Sequence, residues 1–303
     1  MPKAYVFTRY GGPETEALVQ VDRPVPGPGQ VLVRVRAAGV NPVDWKQRTG
    51  YRRPGESGER DFPAYFGNEV SGVVEEVGEG VEGFAVGDAV FGRPVVGGYS
   101  EYALLSVDLL APKPAALTFT DAATLPVAAV TAYDGIRQLD LPAGATLLVT
   151  GAGGGVGVAA VQIARALGLH VVGLSSEAKK DFVALLGAVH VPSGPGWTER
   201  VPGRVDGVYD LVGGDVLEDA ATLLADRAKL ITAGAPPEVV EKLGGARVAR
   251  VRTPERLAAV ADLVVSGDLD PHVTQTFPLE QAGEALRTVE EGHARGKIVI
   301  EVA

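Results

Sequence analysis

Gly151, Gly153, Gly154, Gly155 and Gly157 crowd into seven positions. The chemistry that such crowding serves is phosphate binding. A pyrophosphate must approach the backbone closely, side chains would block it, and glycine is therefore needed at several places. Leu147, Leu148 and Val149 precede the turn as a short apolar run, as in a strand buried on both faces. Val158, Val161, Ile163 and Ala164 follow on a mainly helical segment. Strand, glycine turn, helix is the order a phosphate cradle requires, with the helix N-terminus supplying N–H donors and the positive end of its dipole. The spacing is Ala152-x-Gly154-x-x-Gly157, with alanine in the first glycine slot. A glycine motif alone is weak. With both flanking elements legible, Gly153, Gly154, Gly155 and Val156 are expected to contact a dinucleotide. The alternative is a glycine-rich turn without a ligand.

Three further places carry ligand chemistry. The strand His170–Ser176 ends in Ser175 and Ser176, where NAD-preferring folds place an aspartate or glutamate for the ribose hydroxyls. An acid there would repel a 2′-phosphate, and small hydroxyl donors would accept one, so the expected cofactor is NADPH. Lys179 and Lys180 follow at the start of a helix, where a solvated helix face is the alternative reading. Glu177 is awkward beside a phosphate, and at a helix start it is expected to face solvent and complement the dipole. Leu211–Gly214, with Val212 and Gly213, and Thr232-Ala233-Gly234 end two more strands, and ligands of open α/β sheets collect at carboxyl edges.

Composition excludes other chemistries. The 303 residues contain no cysteine, so disulfides and thiolate metal ligands are ruled out. The four histidines, His170, His190, His272 and His293, show no ligand spacing. A net charge of −10 without any lysine/arginine block argues against nucleic acid as the main partner. No apolar run approaches the roughly 18 residues needed to span a bilayer. The opening MPKAYVFTRYGG is interrupted by charge and tyrosine, unlike a signal peptide. A cytoplasmic protein with no membrane partner is the expectation.

The elements that must position these residues read as two domains. Strands are expected at Ala4–Thr8, Gln30–Ala38, Glu69–Val77, Ala89–Gly92 and Tyr99–Ser106, separated by Gly/Pro turns. Asn41-Pro42-Val43-Asp44 reads as a short helix start, and Gly50–Gly58 as a polar loop. Thr118 with Asp121 caps a helix to about Arg137, kinked at Pro126. After the glycine turn, strands at His170–Leu174, Ala188–Val191, Gly207–Leu211, Lys229–Thr232 and Ala246–Val251 alternate with helices at Ala178–Leu186 and Val216–Leu224. That alternation predicts α/β architecture, with a parallel sheet covered on both faces. Helices near Glu255–Val265 and Leu279–Glu291, then a strand Lys297–Val302, close the chain.

Across nearly its whole length the chain resembles the zinc-independent medium-chain dehydrogenases/reductases, in the quinone oxidoreductase (zeta-crystallin-like) branch. The markers are AAGVNPVDWKQRTG (37–50), FPAYFGNEVSGVVEEVGEGVEGFAVGDAVFG (62–92), GGYSEYA (97–103), TLPVAAVTAYDGI (124–136), the glycine turn through Gln162 and Arg165, and HARGKIVIEV (293–302). Gly144-Ala145 departs from the usual signature, which has an acid or amide at the second place. The resemblance implies a GroES-like β-barrel substrate domain (1–118 and 256–303) and a doubly wound Rossmann domain (119–255). Metal-dependent relatives carry a cysteine in the first motif and Gly-His-Glu in the second. Here those places hold Asn41 and Gly67-Asn68-Glu69, so no catalytic zinc is expected.

The same resemblance implies site residues. Asn41 and Pro42 would lie beside the nicotinamide, although Asn41 also reads as a helix cap. Asp44 and Lys46 would border the cleft, or be a capping acid and a solvated lysine. Tyr51 would donate to a substrate carbonyl, or pack as a loop aromatic. Asn41, Asp44 and Tyr51 are the catalytic candidates. Thr131 would approach the nicotinamide, or be an ordinary helix threonine. Lys179 falls where such reductases keep a phosphate-binding lysine. Lys297 would lie near the pyrophosphate, or be a surface lysine. Without a Lewis acid, alcohol oxidation lacks a means of stabilising an alkoxide. Hydride donation to a quinone or an α,β-unsaturated carbonyl remains open, because the acceptor oxygen takes the charge. An enoyl reductase of carrier-bound substrates and a non-catalytic NADPH-binding or redox-sensing protein are the alternatives. Relatives cover the last Rossmann strand by pairing it with a second subunit, which implies a homodimer or a dimer of dimers.

Overall fold

The computed structural model describes residues 1–52, 60–292 and 294–303. The expected loop at 50–58 lies outside the described residues from 53 onward, as does His293. The chain divides into two compact units. One holds Met1–Val127, Arg252–Val265 and Val273–Ala303, and the other Ala128–Val251 and Ser266–His272.

The first unit begins with β1 (Lys3–Phe7), β2 (Glu16–Gln20) and β3 (Gln30–Val40), then α1 (Pro42–Arg48) and β4 (Ala64–Tyr65). It continues with β5 (Val70–Val77), β6 (Ala89–Val96), β7 (Tyr102–Pro112) and α2 (Phe119–Ala122). β3 pairs antiparallel with both β5 and β7, and β6 joins those two, so the four strands close into a ring without free edges. Val31, Val33 and Val35 alternate along β3 into a core shared with Val74, Val90, Leu105 and Leu110. β1 lies between β2 and β4 in a separate small sheet. Neither β2 nor β4 is legible in the sequence, one being five residues without apolar alternation and the other only two residues long.

The helix expected to run from Thr118 to Arg137 is broken into pieces. Thr118 Oγ1 accepts the Asp121 N–H (3.0 Å) as the cap. After α2 comes a five-residue π-helical turn, Leu125–Ala129, containing Pro126, and then α3 (Val130–Leu139). Proline lacks the N–H that a regular turn would use, and the widened turn is where the helix deviates.

In the second unit, α3 leads to β8 (Thr146–Thr150), α4 (Gly155–Ala166) and β9 (His170–Ser175). A 3₁₀ turn at Glu177–Lys179 precedes α5 (Lys180–Leu185) and β10 (Val189–Pro192). β11 (Gly207–Asp210), α6 (Gly214–Thr222), β12 (Leu230–Thr232), α7 (Pro237–Lys242) and β13 (Ala246–Arg247) complete it. All six strands are parallel, in the order β10-β9-β8-β11-β12-β13. In chain order that is 3-2-1-4-5-6, the doubly wound nucleotide-binding topology. The strand expected over Ala246–Val251 stops after two residues. Val248 N–H still donates to Thr232 O (2.9 Å), and beyond it side chains of α3 capture backbone donors. Gln138 Oε1 accepts from Ala249 N–H (2.8 Å) and Asp134 Oδ2 from Val251 N–H (2.7 Å).

The chain closes with α8 (Pro254–Ser266), β14 (Val273–Pro278), α9 (Ala282–Glu290) and β15 (Lys297–Glu301). β15 joins β3 antiparallel and carries β14 on its other side. β14 is mostly polar and exposed, and so leaves no apolar alternation in the sequence. Among the described residues no helix is long and apolar enough to cross a membrane.

Candidate cofactor and substrate sites

In the second unit the glycine turn bridges β8 and α4 as its spacing predicts. Gly151 adopts φ +68°. Gly154 caps α4 in extended conformation, and Gly155 and Val156 are the first helical residues. A Cβ on Gly157 would stand 2.7 Å from Ala152 Cα, so glycine is what lets α4 start against the turn. Alanine in the first glycine slot is accommodated from the neighbouring strand. A Cβ on Gly173 of β9 would come within 2.9 Å of the Ala152 methyl.

Lys179 meets this turn. A Cβ on Gly153 would lie 2.7 Å from Lys179 Cδ, so the lysine stem crosses the glycine where no side chain intervenes. Ser176 is exposed ahead of the 3₁₀ turn. Glu177 is exposed and sits 3.7 Å from the Lys180 ammonium. Ser175 differs from expectation. It is buried, with its hydroxyl 3.1 Å from His190 Nε2 and donating to Ser176 O at 3.3 Å, because the strand pleat turns it toward β10. Thr131 is buried in α3, where its carbonyl accepts from Tyr209 (2.6 Å) and its hydroxyl from Arg250 Nε (3.2 Å).

The ends of β8, β11 and β12 converge on Asp210, which is fully buried. Thr150 and Thr232 each donate a hydroxyl to it at 2.6 Å. Val212 N–H (3.2 Å) and Gly213 N–H (3.0 Å) donate as well. The threonine oxygens in turn accept from Leu211, Gly234 and Ala235 N–H groups, and Ala233 N–H donates to the Asp210 carbonyl. Asp210 and Thr150 are not among the sequence-derived candidates. The signal present was an aspartate ending an apolar strand two residues before a captured N–H, which is an Asx-turn pattern.

The first unit holds a second polar cluster. Asn41 follows β3 and is the N-cap residue of α1, in a capping box with Asp44. The Asp44 carboxylate supplies the reciprocal half of that box by accepting Asn41 N–H at 2.8 Å. The Asn41 amide also donates to Glu69 Oε1 (2.7 Å) and accepts from Lys297 Nζ (2.9 Å). Lys297 also donates to Glu69 Oε1 (2.7 Å) and to Val40 O (3.1 Å). Lys297 is therefore neither a surface lysine nor placed with a spare donor for a pyrophosphate, since its three N–H donors match three acceptors inside this unit. Glu69 Oε2 accepts Val127 N–H (2.7 Å), just past Pro126. Glu69 escaped the sequence reading as a site residue, and its signal was a lone charge opening an apolar strand.

Asp44 is wholly buried and accepts from Tyr99 OH (2.8 Å) and from the Asn68 amide. Burial pushes its carboxyl up to about 6, with the bonds from Asn68, Asn41 and Tyr99 pulling the other way. Arg48, also buried, ties α1 to Glu16 of β2 and to Glu290 of α9 (2.8 Å). Pro42, Lys46 and Tyr51 are exposed, with the Lys46 ammonium 5.6 Å from the Trp45 ring centre.

The donor set does not suit zinc. The two places that carry ligands in metal-dependent relatives hold the carboxamides of Asn41 and Asn68, both engaged with carboxylates. A lysine ammonium lies against Glu69, the carboxylate that Asn41 contacts. Among the described residues no three His, Cys, Asp or Glu side chains are grouped to hold a metal ion.

Residues 27–115 match the alcohol dehydrogenase GroES-like domain family, and residues 168–300 match the zinc-binding dehydrogenase family. The chain is 33% identical to a quinone oxidoreductase of Pseudomonas aeruginosa over 99% of both chains. It is 31% identical to the chloroplastic NADPH-dependent alkenal/one oxidoreductase of Arabidopsis thaliana, over 98% of this chain and 79% of that one. The quinone oxidoreductase structure from Coxiella burnetii superimposes with a TM-score of 0.93 at 29% identity, covering 100% of this chain and 99% of that one. With its ring-closed GroES-like unit and its 3-2-1-4-5-6 sheet, the chain belongs to the medium-chain dehydrogenase/reductase family, in the quinone oxidoreductase branch.

Proposed function

We propose that this protein is an NADPH-dependent oxidoreductase that reduces quinones or α,β-unsaturated carbonyl compounds without a catalytic metal. The observation that carries the reading is the Lys179 stem lying across Gly153, with Ser176 exposed nearby and no acid ending β9. The glycine turn offers backbone N–H groups and a helix N-terminus to a pyrophosphate. Lys179 and Ser176 hold the 2′-phosphate. NADPH, when bound, supplies a hydride. The chain's part is to bind and orient the acceptor and to stabilise the charge on its oxygen. By resemblance Asn41 and Pro42 would lie beside the reacting ring; within its own unit the Asn41 carboxamide is held by Glu69 and Lys297. The Tyr51 hydroxyl or solvent delivers a proton to the acceptor oxygen. The relatives named quinone oxidoreductase and alkenal/one oxidoreductase support this acceptor class.

The test is NADPH consumption across quinones, enones and aldehydes. Turnover with quinones or enones is expected. Lys179→Ala with Ser176→Ala should raise the KM for NADPH by roughly ten- to a hundred-fold, the worth of one charge-assisted hydrogen bond, and leave that for NADH nearly unchanged. Equal use of NADH and NADPH by the wild type, or equal loss of both in the double variant, contradicts the assignment. Near one zinc per chain, with activity lost on chelation, contradicts the metal-free chemistry. A homodimer or dimer of dimers belongs to the same reading, supported by β13 lying at the sheet edge. A sedimentation mass of one chain at micromolar concentration argues against it.

A further inference from the structure

The buried Asp210 carboxylate has no catalytic part in the reading above. It stands at the carboxyl end of β11, flanked by β8 and β12. Two threonine hydroxyls and two N–H groups reach it directly, from Thr150, Thr232, Val212 and Gly213. The N–H groups of Leu211, Gly234 and Ala235 reach it through the threonine oxygens. One carboxylate thus sets the course of two loops, 211–214 and 233–235.

Those loops touch backbone to backbone. A Cβ on Gly234 would stand 2.8 Å from Val212 N and 2.9 Å from Gly213 N. Gly213 itself has φ +82° and would meet Gly234 O at 2.9 Å. A Cβ on Gly151, in the phosphate turn, would lie 3.3 Å from Val212 Cγ2, so the rim continues into the glycine turn. Val212 is 52% exposed at the top of this rim. The contact is mostly backbone, with the Ala235 methyl as its nearest side chain, so the loop shape depends largely on the hydrogen bonds from below.

The position relative to the sheet says which half of a dinucleotide this rim serves. Ser176 and Lys179 follow β9, on one side of β8, and the Asp210 loops follow β11 and β12, on the other. In a doubly wound sheet the dinucleotide lies across the switch point, with the ribose-recognising residue at the end of the second strand and the pyrophosphate on the first turn. The other half then falls over β11 and β12.

Resting on the NADPH reading, we propose that Asp210, with Thr150 and Thr232, is a positioning unit for the nicotinamide half of the cofactor, acting through the 211–214 and 233–235 loops without touching the ligand. Neutral hydroxyl and N–H donors divide the carboxylate's charge and place no cation beside the rim.

The experiment measures binding of NADPH and of adenosine 2′,5′-bisphosphate, which carries the phosphate-bearing half alone. The proteins compared are the wild type, Asp210→Asn, Thr232→Val and Thr232→Ser. Thr232→Val should weaken NADPH binding roughly ten-fold or more, the worth of a hydrogen bond to a charged group, while adenosine 2′,5′-bisphosphate binding stays within about two-fold. Thr232→Ser restores the hydroxyl and should restore NADPH affinity. If Asp210→Asn does not fold, the two Thr232 variants decide. NADPH binding to Thr232→Val at wild-type strength overturns the proposal, as does equal weakening of both ligands. A wild type that binds neither ligand removes the NADPH reading and the inference with it. A wild type that binds both, with variants behaving alike, removes the inference alone.

Discussion

Glu69 in the first unit and Asp210 in the second are both fully removed from water, and they are stabilised in opposite ways. Glu69 meets an ammonium at 2.7 Å, together with one carboxamide and one backbone N–H. Asp210 meets only hydroxyls and backbone N–H groups among the described residues. A cation concentrates the stabilisation in a single partner, whose loss leaves a buried charge uncompensated. Several neutral donors divide it, so that each deletion costs less but each also releases a piece of backbone. The first arrangement suits a junction that must stay fixed, here β3, α1 and β15. The second suits loops whose shape must be set at several points at once. Asp44 has neutral donors, as Asp210 has, but fewer of them, and its carboxyl rises to about 6.

Removing the cation is expected to have the largest effect. Lys297→Met leaves Glu69 buried without its partner and should destabilise by about 3–5 kcal/mol in denaturant unfolding. Adding Glu69→Gln should return part of that loss. A single variant costing under about 1 kcal/mol would erase the contrast between the two clusters.

Asp44 sharpens the comparison through pH. Its carboxyl titrates near 6 in the folded chain against an ordinary 3.8, so between those values the native state holds a proton that the unfolded chain has released. Stability should therefore fall as pH rises from about 4 to 6, and the ionised group should cost about 3 kcal/mol above that window. Asp44→Asn cannot ionise, so the gap between wild type and variant should shift by about that amount between pH 4 and 7. An unchanged gap would show that Asp44 keeps an ordinary carboxyl.

Thr150→Val removes one of the donors to Asp210 and should cost about 1.5–3 kcal/mol, less than Lys297→Met. A cost equal to that of the lysine variant would show that the donors act as one unit. The smallest effect belongs to the surface pair Lys3–Glu280, at 2.8 Å with both side chains about half exposed. Lys3→Ala should leave the unfolding midpoint almost unchanged, and any small effect should shrink further in high salt.

Much of the fold was legible because its marks are local. The glycine turn, the alternating strands and helices, the Thr118 cap and the break at Pro126 each follow from neighbouring residues. The misplaced elements share a cause. The strand expected to Val251 ends early because Gln138 and Asp134, more than a hundred positions away, take its N–H groups. β14 and β4 exist because a neighbouring strand offers them pairing, with little apolar pattern of their own.

By itself the sequence determined the phosphate turn, the absence of thiolate ligands, the carboxamides at Asn41 and Asn68, and the hydroxyls and lysines after β9. These are matters of residue type and short spacing, which a linear chain displays openly. Only the tertiary structure decided that Lys297 lies inside against Glu69, 228 positions away, that Ser175 turns to His190, and that Asp210 gathers two loops. Burial and pairing of polar groups depend on which distant elements meet, and a charge destined for the interior looks, in the sequence, the same as one destined for water.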